Sequence, residues 1–516
     1  MPPMGRGIHD LAVVGSAFGG SLMALIARRL GRSVVLIERG RHPRFAIGES
    51  STPVANLLLE QLAKRHDLPR ILPFTKWGSW QRTYPEIACG LKRGFSFYHH
   101  EAGRRWSPRG DRSNELLVAA SPSDGIADTH WYRPDFDHWF QREAVNLGVE
   151  YSDETELREV AQEEEGMRLD GVREGKPVTF RARFVVDASG PRGFLARTLA
   201  LPASPWTSFP ATAALYSHFE GVARWDALHP GAEVPPYPPD DAALHHVFDG
   251  GWIWVLRFNN GLTSAGVSAS AELASRLRLS EGAPGWRRLL EYLPSVAWQF
   301  DPARAVRDFT WAPSLPWRCS VVAGERWALL PSAAGFVDPL LSTGFPLTLL
   351  GIERLAELLE RRPVPGANEL EAYSSETLAD LDAAASLIGA LHRNLGRPEL
   401  FQPLSMLYFA AAIFSETVRR LGRPGDAAGF LLRGRRTFAG EVAEVVQLAN
   451  QPEPDVARIR AAVSRTVDPI NLAGLDRSDR RNWHPVEVSD LYAAAGKIPA
   501  TRGELAAMLR GCGFPG

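Results

Sequence analysis

The hydrophobic positions near the start of the chain alternate between strand-like and helix-like patterns. Leu11–Val14 is a short apolar run closed by glycines, Ser21–Leu30 repeats apolar side chains at helical spacing, and Ser33–Ile37 is a second apolar run. A strand, a glycine-rich turn, a helix and a strand within about thirty residues are typical of a βαβ unit with a parallel sheet. The chain is therefore predicted to open with a Rossmann-type half.

Later apolar segments indicate that the chain returns to this sheet twice. Trp139–Leu147 has the pattern of a helix, and Arg183–Val186 has that of a buried strand that ends in an Asp-Ala-Ser-Gly turn. Further on, Ala328–Leu330 has the pattern of a strand and Phe345–Leu359 that of a helix with one apolar face. Both strands are predicted to extend the parallel sheet.

Between residues 211 and 270 the pattern changes to alternating strands separated by turns rich in Gly, Asp and Asn. The predicted strands are Ala213–Phe219, His246–Phe248, Trp252–Phe258 and Leu262–Val267. We interpret them as an antiparallel meander in a second domain. Beyond Arg361 the pattern is mostly helical, without a repeat of fixed period, which predicts a helical C-terminal region.

Together these patterns predict an α/β protein with three parts. A discontinuous Rossmann-type nucleotide-binding domain is expected over residues 1–88, 130–200 and 318–360. A β-sheet substrate domain is expected over 89–129 and 201–317, and the helical region over 361–516. A chain of 516 residues is long enough for two or three such units.

Charge and cysteine content narrow the classes of function. The 58 Lys and Arg residues balance 59 Asp and Glu, a net charge of −1, so no basic field favours nucleic acid as a partner. Three widely spaced cysteines cannot form a disulfide framework or a CxxC knuckle, and the adjacent histidine pairs at 99–100 and 245–246 lack metal-ligand spacing. No metal site is predicted, and a reducing cytoplasm is the expected location.

Hydropathy adds an expectation about membranes. The first apolar run, Leu11–Val14, ends after four residues, and the later run Met406–Phe414 is far shorter than a bilayer span. We therefore expect neither a signal peptide nor a membrane anchor.

The first chemistry-bearing motif is the turn after the first strand, Gly15-Ser16-Ala17-Phe18-Gly19-Gly20, with Glu38 at the end of the second strand, 23 residues after Gly15. Glycine lets the backbone bend, small residues let amides approach a pyrophosphate at a helix N-terminus, and the carboxylate can accept ribose hydroxyls. This context predicts dinucleotide binding, although a glycine-rich turn selected only for tight packing is the alternative.

Four further segments carry a resemblance to a known family. They are the Gly-Glu-Ser run within Arg44–Pro53, the Arg-Pro-Asp-Phe-Asp segment within Trp131–Asp137, Val186–Gly190, and the Phe-x-x-Pro-x-x-Ser-x-Gly segment within Phe336–Gly344. In this order they are similar to the motifs of the flavin-dependent halogenases, within the hydroxylase-like class of FAD enzymes. The resemblance implies a glutathione-reductase-like, Rossmann-type FAD-binding fold with a β-sheet substrate domain and a helical C-terminal region.

The resemblance also implies the residues that hold the flavin. They are Gly15, Ala17, Phe18, Gly20, Glu38, Arg44, Gly48, Glu49, Ser50, Arg133, Asp187, Gly190, Asp338, Pro339 and Gly344. Because the chain has no second convincing dinucleotide fingerprint, we expect FAD to be supplied in reduced form by a separate flavin reductase. A helix that starts at Gly344 offers free amides and a positive dipole end, so Thr343 and Gly344 form the candidate site for chloride or bromide.

Lys92 is the candidate that would turn flavin chemistry into halogenation. Its context, Cys89–Phe97, resembles the Lys-x-Gly-x-x-Phe strand of halogenases that act on phenols and pyrroles, in which a buried lysine carries oxidised halogen to the substrate. A solvated Lys92–Arg93 pair is the alternative interpretation. The other candidate catalytic residues are Glu49, Trp252 and Trp254, and the two tryptophans point to one face of a strand.

Three departures from the family pattern keep other functions open. Arg257 stands where a proline follows the paired tryptophans, and Pro331-Ser332 replaces a Gly-Asp pair. Leu341 replaces the carboxylate of tryptophan halogenases, so free tryptophan is a poor candidate substrate. The alternatives are a flavin monooxygenase, a flavoprotein that oxidises side chains of a partner protein, and a non-catalytic flavin-binding protein. The sequence does not indicate whether a small-molecule substrate is free or tethered to a carrier.

Overall fold

The structure, a computed structural model, describes residues 7–207, 209–231, 233–475 and 477–514. Within these ranges the strands, in chain order, are β1 His9–Val14, β2 Val34–Ile37, β3 Cys89–Lys92, β4 Gly94–His100, β5 Glu115–Ala119, β6 Asp128–Trp131, β7 Glu150–Ser152, β8 Thr155–Gln162, β9 Met167–Arg173, β10 Lys176–Asp187, β11 Thr212–Glu220, β12 Ala243–Phe248, β13 Gly251–Arg257, β14 Thr263–Ser270, β15 Arg304–Ala305, β16 Thr310–Ala312, β17 Trp317–Arg318, β18 Ala323–Gly324, β19 Trp327–Leu329, β20 Gly335–Phe336 and β21 Trp483–His484.

The α-helices of the same ranges are α1 Phe18–Arg29, α2 Pro53–Arg65, α3 Trp77–Thr83, α4 Arg133–Asn146, α5 Phe194–Thr198, α6 Trp225–Leu228, α7 Ala271–Arg276, α8 Ala283–Tyr292, α9 Pro294–Phe300, α10 Pro331–Ala334, α11 Gly344–Arg361, α12 Ala367–Arg393, α13 Pro398–Arg420, α14 Arg436–Ala449, α15 Val456–Val467, α16 Val488–Ala493 and α17 Arg502–Cys512.

The first sheet is the predicted parallel one. Its main strand order in the described chain is β18-β19-β10-β1-β2-β7, and β1 runs parallel to both β2 and β10. β19 joins the far side of β10, also in parallel. The predicted helix and strand elements of the Rossmann-type half are confirmed, and the hairpin of β8 and β9 that leads into β10 is an addition that the apolar pattern did not indicate.

The second sheet is mostly antiparallel and has the strand order β15-β11-β14-β13-β12-β4-β5-β21 along its described length. β12, β13 and β14 form consecutive antiparallel hairpins, as predicted. In a meander that follows chain order, β11 would lie beside β12. In the structure β11 pairs with β14 instead. The place beside β12 is taken by β4, which runs parallel to it.

The helical region after Arg361 is confirmed, and it closes over the second sheet. Phe401 of α13 packs against Phe97 with ring centroids 5.5 Å apart, and Phe409 packs against Phe95 at 5.4 Å. This region also contributes a strand, because β21 pairs in parallel with β5. The distribution of strands and helices supports the three-part domain division, which we therefore propose for this protein.

Across the residues that the structure describes, we find no helix that combines the length and the apolar character needed to span a bilayer.

Candidate functional site

A cleft of about 800 Å³ reaches from the first sheet to one face of the second. The turn after β1, the end of β2 and the turn after β10 line it on one side, so it lies at the carboxyl ends of parallel strands. Tyr216, Trp252 and Trp254 of the second sheet line it on the other side. Among the predicted cofactor residues, only Gly20 and Asp187 lie off the described cleft wall.

The glycine-rich turn after β1 has a conformation that larger residues do not fit. Gly15 has φ of +96°, and a Cβ on it would lie 2.7 Å from the carbonyl oxygen of Ala188. A Cβ on Gly20 would lie 1.9 Å from the carbonyl oxygen of Gly15, so Gly20 permits close packing of α1 rather than facing the cleft. The N-terminus of α1 therefore approaches the cleft at Ala17 and Phe18.

Glu38 lies at the end of β2 with its carboxylate held by several donors. Its Oε2 accepts hydrogen bonds from the amide of Ser16 at 2.9 Å and from Arg44 at 2.9 Å, and its Oε1 accepts one from the amide of Gly40 at 2.8 Å. Burial alone would raise the pKa of Glu38, but the Arg44 charge and the two amides lower it to about 2. The carboxylate at the cleft wall is therefore ionised at neutral pH.

The strap, residues 44–52, is fixed by Arg133. The Arg133 guanidinium donates to both carboxylate oxygens of Asp137, at 2.9 and 2.8 Å, and a third nitrogen donates to the carbonyls of Ile47 and Gly48. Asp137 also accepts from the amide of Phe18 at 3.1 Å. Arg133 lines the cleft, and it ties the strap to the start of α1.

The strap is fixed to the second sheet by Glu49. Its Oε1 and Nε2 of His218 on β11 are joined by a 2.9 Å hydrogen bond, and both side chains are buried. The second oxygen, Oε2, has no hydrogen-bond partner among the described residues. Glu49 lines the cleft with an acceptor that remains available for a ligand.

Asp187 shapes the second predicted flavin motif without lining the cleft. Its Oδ1 accepts from the amide and hydroxyl of Ser189, and its Oδ2 accepts from the amide of Leu195 at 2.7 Å. These bonds hold the turn in which Gly190, with φ of +89°, lies on the cleft wall. Asp187 lies off the described cleft wall and its oxygens accept from the turn, so its direct contact with the cofactor stays a prediction.

The turn before α11 presents backbone amides to the cleft. Leu341 and Ser342 both have positive φ, 61° and 55°, an uncommon conformation for residues other than glycine. Asp338 fixes this turn by accepting from the amide of Leu340 and the hydroxyl of Ser268. His392 of α12 lies 3.1 Å from the same carboxylate.

The helix α11 begins directly after this turn, with Thr343 and Gly344 on the cleft wall. The first amides of a helix have no intrahelical acceptor, and no backbone bond from these two amides is found in the described chain. The amides of Thr343 and Gly344, beside Pro339 on the cleft wall, are therefore free to bind an anion at the predicted site.

Lys92 is fully buried at the end of β3, which excludes the alternative of a solvated pair with Arg93. Its ammonium donates to the hydroxyl of Ser50 at 2.8 Å and to the carbonyl of Ser51, and it lies 3.9 Å from the centre of the Phe95 ring. Burial lowers the pKa of Lys92, while the negative charge of Asp128 opposes that shift. Since Ser50 lines the cleft, Lys92 lies one side chain behind the cleft wall.

The paired tryptophans lie on one face of β13, as predicted, and both line the cleft. Their ring centroids are 5.7 Å apart. Arg257 at the end of β13 points elsewhere, donating to Asp240 at 2.9 Å and to the carbonyl of Val222. Arg257 therefore lies off the described cleft wall.

Sequence reasoning identified the lining residues but not the side chains that hold them. His218 hydrogen-bonds Glu49, His392 lies 3.1 Å from Asp338, and Asp128 stands opposite Lys92 across the β3–β6 pair. His218 and His392 lie far from the motifs in sequence, on β11 and α12, whereas Asp128 lies on β6 just before the segment Trp131–Asp137. A signal was available only for Asp137, which follows Arg133 at helical i,i+4 spacing within a quoted motif.

The chain is similar to known halogenases. The family model described as tryptophan halogenase matches residues 129–399. The monodechloroaminopyrrolnitrin halogenase PrnC of Pseudomonas fluorescens is 30% identical over 355 residues, 68% of this chain and 61% of that protein. The tetracycline 7-halogenase of Kitasatospora aureofaciens is 31% identical over 351 residues, 66% of this chain. The matched region spans 61% of the length of each of these two relatives.

Among solved structures, the halogenase PltM in complex with phloroglucinol and FAD superposes with a TM-score of 0.81. The superposition covers 92% of this chain and 99% of that one at 24% sequence identity. This likeness establishes the fold.

Proposed function

Because the chain belongs to the tryptophan halogenase family, we propose that it is a FAD-dependent halogenase acting on an electron-rich organic substrate. It would use reduced FAD, dioxygen and chloride or bromide. The observation that carries this proposal is the buried ammonium of Lys92, which donates to a serine of the cleft wall. A fully buried lysine that hydrogen-bonds a residue of the cleft wall but forms no ion pair within 4.0 Å in the described chain is a candidate for function, because burial of its charge costs free energy.

The cleft fits FAD in three respects. The turn at Gly15 is a cradle that a Cβ would fill, Glu38 is ionised at the tip of β2, and Glu49 presents an unpartnered buried oxygen. The amides at the start of α1 would hold the pyrophosphate and Glu38 the ribose hydroxyls. The strap and the turn before α11 would flank the flavin ring.

The chain's own residues would divide the remaining work. When bound, reduced FAD would supply two of the four electrons that dioxygen takes up and halide the other two, which gives hypohalous acid and water. The amides of Thr343 and Gly344 would hold the halide, because the N-terminus of α11 carries a partial positive charge. Trp252 and Trp254 would exclude water along the cleft wall, and Lys92, which lies behind Ser50, would position the hypohalous acid beside the substrate.

The relatives support a substrate class without naming a substrate. Two of them act on a pyrrole-2-carbonyl group attached to a peptidyl-carrier protein, while PltM was solved with phloroglucinol. We propose an electron-rich aromatic or heteroaromatic molecule, free or carrier-tethered. Ser332 lines the cleft where the family pattern has a carboxylate, which favours exchangeable FAD delivered by a flavin reductase. The buried free thiols of Cys89 and Cys319 support a cytoplasmic location.

The proposed function is tested by supplying the purified protein with FAD, a flavin reductase, NADH and bromide. Phenols, pyrroles and indoles are offered, and products are identified by mass spectrometry. We expect brominated product whose rate of formation rises with bromide and saturates, because the halide site is specific. Hydroxylated product without bromine would contradict halogenation and indicate a monooxygenase. FAD binding without any product would indicate a non-catalytic flavin-binding protein.

Replacing Glu38 tests the assignment of the ribose site. We expect Glu38→Ala to weaken FAD binding by about 1 to 3 kcal/mol, because a charge-assisted hydrogen bond is lost. The measurement is FAD affinity by fluorescence quenching. Glu164→Ala, which removes an exposed carboxylate away from the cleft, is the control and should bind FAD as the parent does. Equal affinity in both variants would remove Glu38 from the site.

A further inference from the structure

A second polar group lies beside Lys92, on the strand that pairs with β3. In the antiparallel pair of β3 and β6, Lys92 is directly opposite Asp128, so the two side chains share a face of this ribbon. Among the described atoms, no distance of 4.0 Å or less joins the ammonium nitrogen of Lys92 to a carboxylate oxygen of Asp128. Both residues are largely or fully buried, with exposures of 0% and 7%.

Asp128 is held in place by a dedicated donor. Asn56 of α2 donates from Nδ2 to Oδ1 of Asp128 at 2.7 Å. The other oxygen, Oδ2, is buried and has no hydrogen-bond partner in the described chain. A buried carboxylate oxygen without a donor is costly, and either a nearby positive charge or a bound proton lowers that cost.

From this juxtaposition, we propose that Asp128 is a positioning residue that sets the pH at which Lys92 changes from ammonium to amine. The carboxylate stabilises the ammonium across the β3–β6 pair, and Asn56 keeps it aimed there. The inference rests on the proposed halogenase function, in which Lys92 handles the hypohalous acid. Asp128 itself lies off the described cleft wall.

The electrostatics of the surroundings agree with this role. Burial raises the pKa of Asp128, and the charge of Glu416 raises it further, whereas Lys92 lowers it. Burial lowers the pKa of Lys92, and Asp128 raises it. Burial is the larger influence on both groups and favours their neutral forms, while each group stabilises the charged form of the other.

The other groups that face the pair come from β6, β12 and α13. The charge of Lys92 acts on His130 and His245. Burial holds the pKa of each histidine far below neutrality, so both are uncharged at working pH. On α13, Glu416 is paired with Arg420 at 2.8 Å, so their charges largely offset each other. Tyr408 of the same helix is neutral, because burial raises the pKa of its phenol.

The first test compares the pH dependence of halogenation in the parent and in Asp128→Asn, with FAD, reductase and bromide as above. Without the carboxylate, the ammonium is less stable, so the limb of the profile that belongs to Lys92 should move to lower pH by about one unit. Asn56→Leu should move it in the same direction by less, and serves if Asp128→Asn does not fold. Asp67→Asn, which removes an exposed carboxylate just after α2, should leave the profile unchanged.

The second test does not depend on activity. Thermal unfolding is measured for Asp128→Asn, Lys92→Met and the double variant at pH 7. We expect Asp128→Asn to lower Tm more when Lys92 is present than when methionine replaces it, because only the lysine loses a counter-ion. Additive Tm changes, or an unshifted pH profile, would overturn the role of Asp128. Non-additive Tm changes in a protein that makes no halogenated product would uphold the pair and refute the proposed function.

Discussion

Lys92→Ala is expected to make no halogenated product while it still binds FAD and still oxidises reduced flavin with dioxygen. The separation is expected because Lys92 lies behind Ser50 and off the cleft wall, where it would act only after the halide has been oxidised. The measurement is product formation by mass spectrometry beside dioxygen consumption in the same reductase-coupled assay. A loss of at least a thousandfold in product is the expected size, equal to about 4 kcal/mol at 25 °C.

Three further variants test whether the effect belongs to the amine of Lys92. Lys92→Met keeps the volume of the buried side chain and should also be inactive, so loss of activity is not a packing effect. Lys92→Arg should not restore activity, since a planar, permanently charged guanidinium cannot replace a compact amine that loses its proton. Lys64→Ala, an exposed lysine on α2, should be fully active. Retained product formation in Lys92→Ala would refute the halogenase mechanism and favour direct oxygen transfer.

Gly20→Ala is expected to reduce both FAD affinity and the free energy of unfolding. The new Cβ would lie 1.9 Å from the carbonyl oxygen of Gly15, so α1 would have to move away from the turn that cradles the pyrophosphate. Overpacking against backbone costs about 3 kcal/mol, and displacement of α1 amides should weaken FAD binding at least tenfold. Denaturant unfolding and flavin fluorescence quenching provide the two measurements.

The matched control is Gly440→Ala, a glycine within α14 whose Cβ would meet nothing within 4 Å. There the substitution should raise the free energy of unfolding by up to about 1 kcal/mol, because alanine has the higher helix propensity. Parent-like stability and FAD affinity in Gly20→Ala would show that the turn relaxes freely and that close packing of α1 is not required.

Local patterns predicted much of the fold. The apolar periodicity of residues 11–37 gave the βαβ unit, and the alternation after residue 211 gave β11 to β14, because burial of one face leaves a direct imprint on sequence. The pairing of β11 with β14 and of β4 with β12 was not predictable. Strand neighbours that are distant in sequence depend on how the whole sheet packs, which no local pattern encodes.

The residues of the candidate site also fall into two groups, those that the sequence predicted and those that it did not. Gly15, Glu38 and the strap were identified because each stands in a short motif with a fixed spacing. The side chains that hold the site, such as His218 and Asp128, stand in no motif. Their relation to Glu49 and Lys92 exists only across strand pairs or between domains, so only the three-dimensional arrangement reveals it.

The chain order of the first sheet has a consequence for synthesis on the ribosome. β1 needs β10 beside it, and β10 needs β19, which ends at Leu329. At about 5 to 20 residues per second, roughly 15 to 70 seconds pass before the last of these strands is made. The edge of the second sheet at β5 waits longer still, since β21 begins at Trp483. During that interval the nascent protein exposes unpaired strand edges, so its yield in a cell should depend on chaperones that shield them.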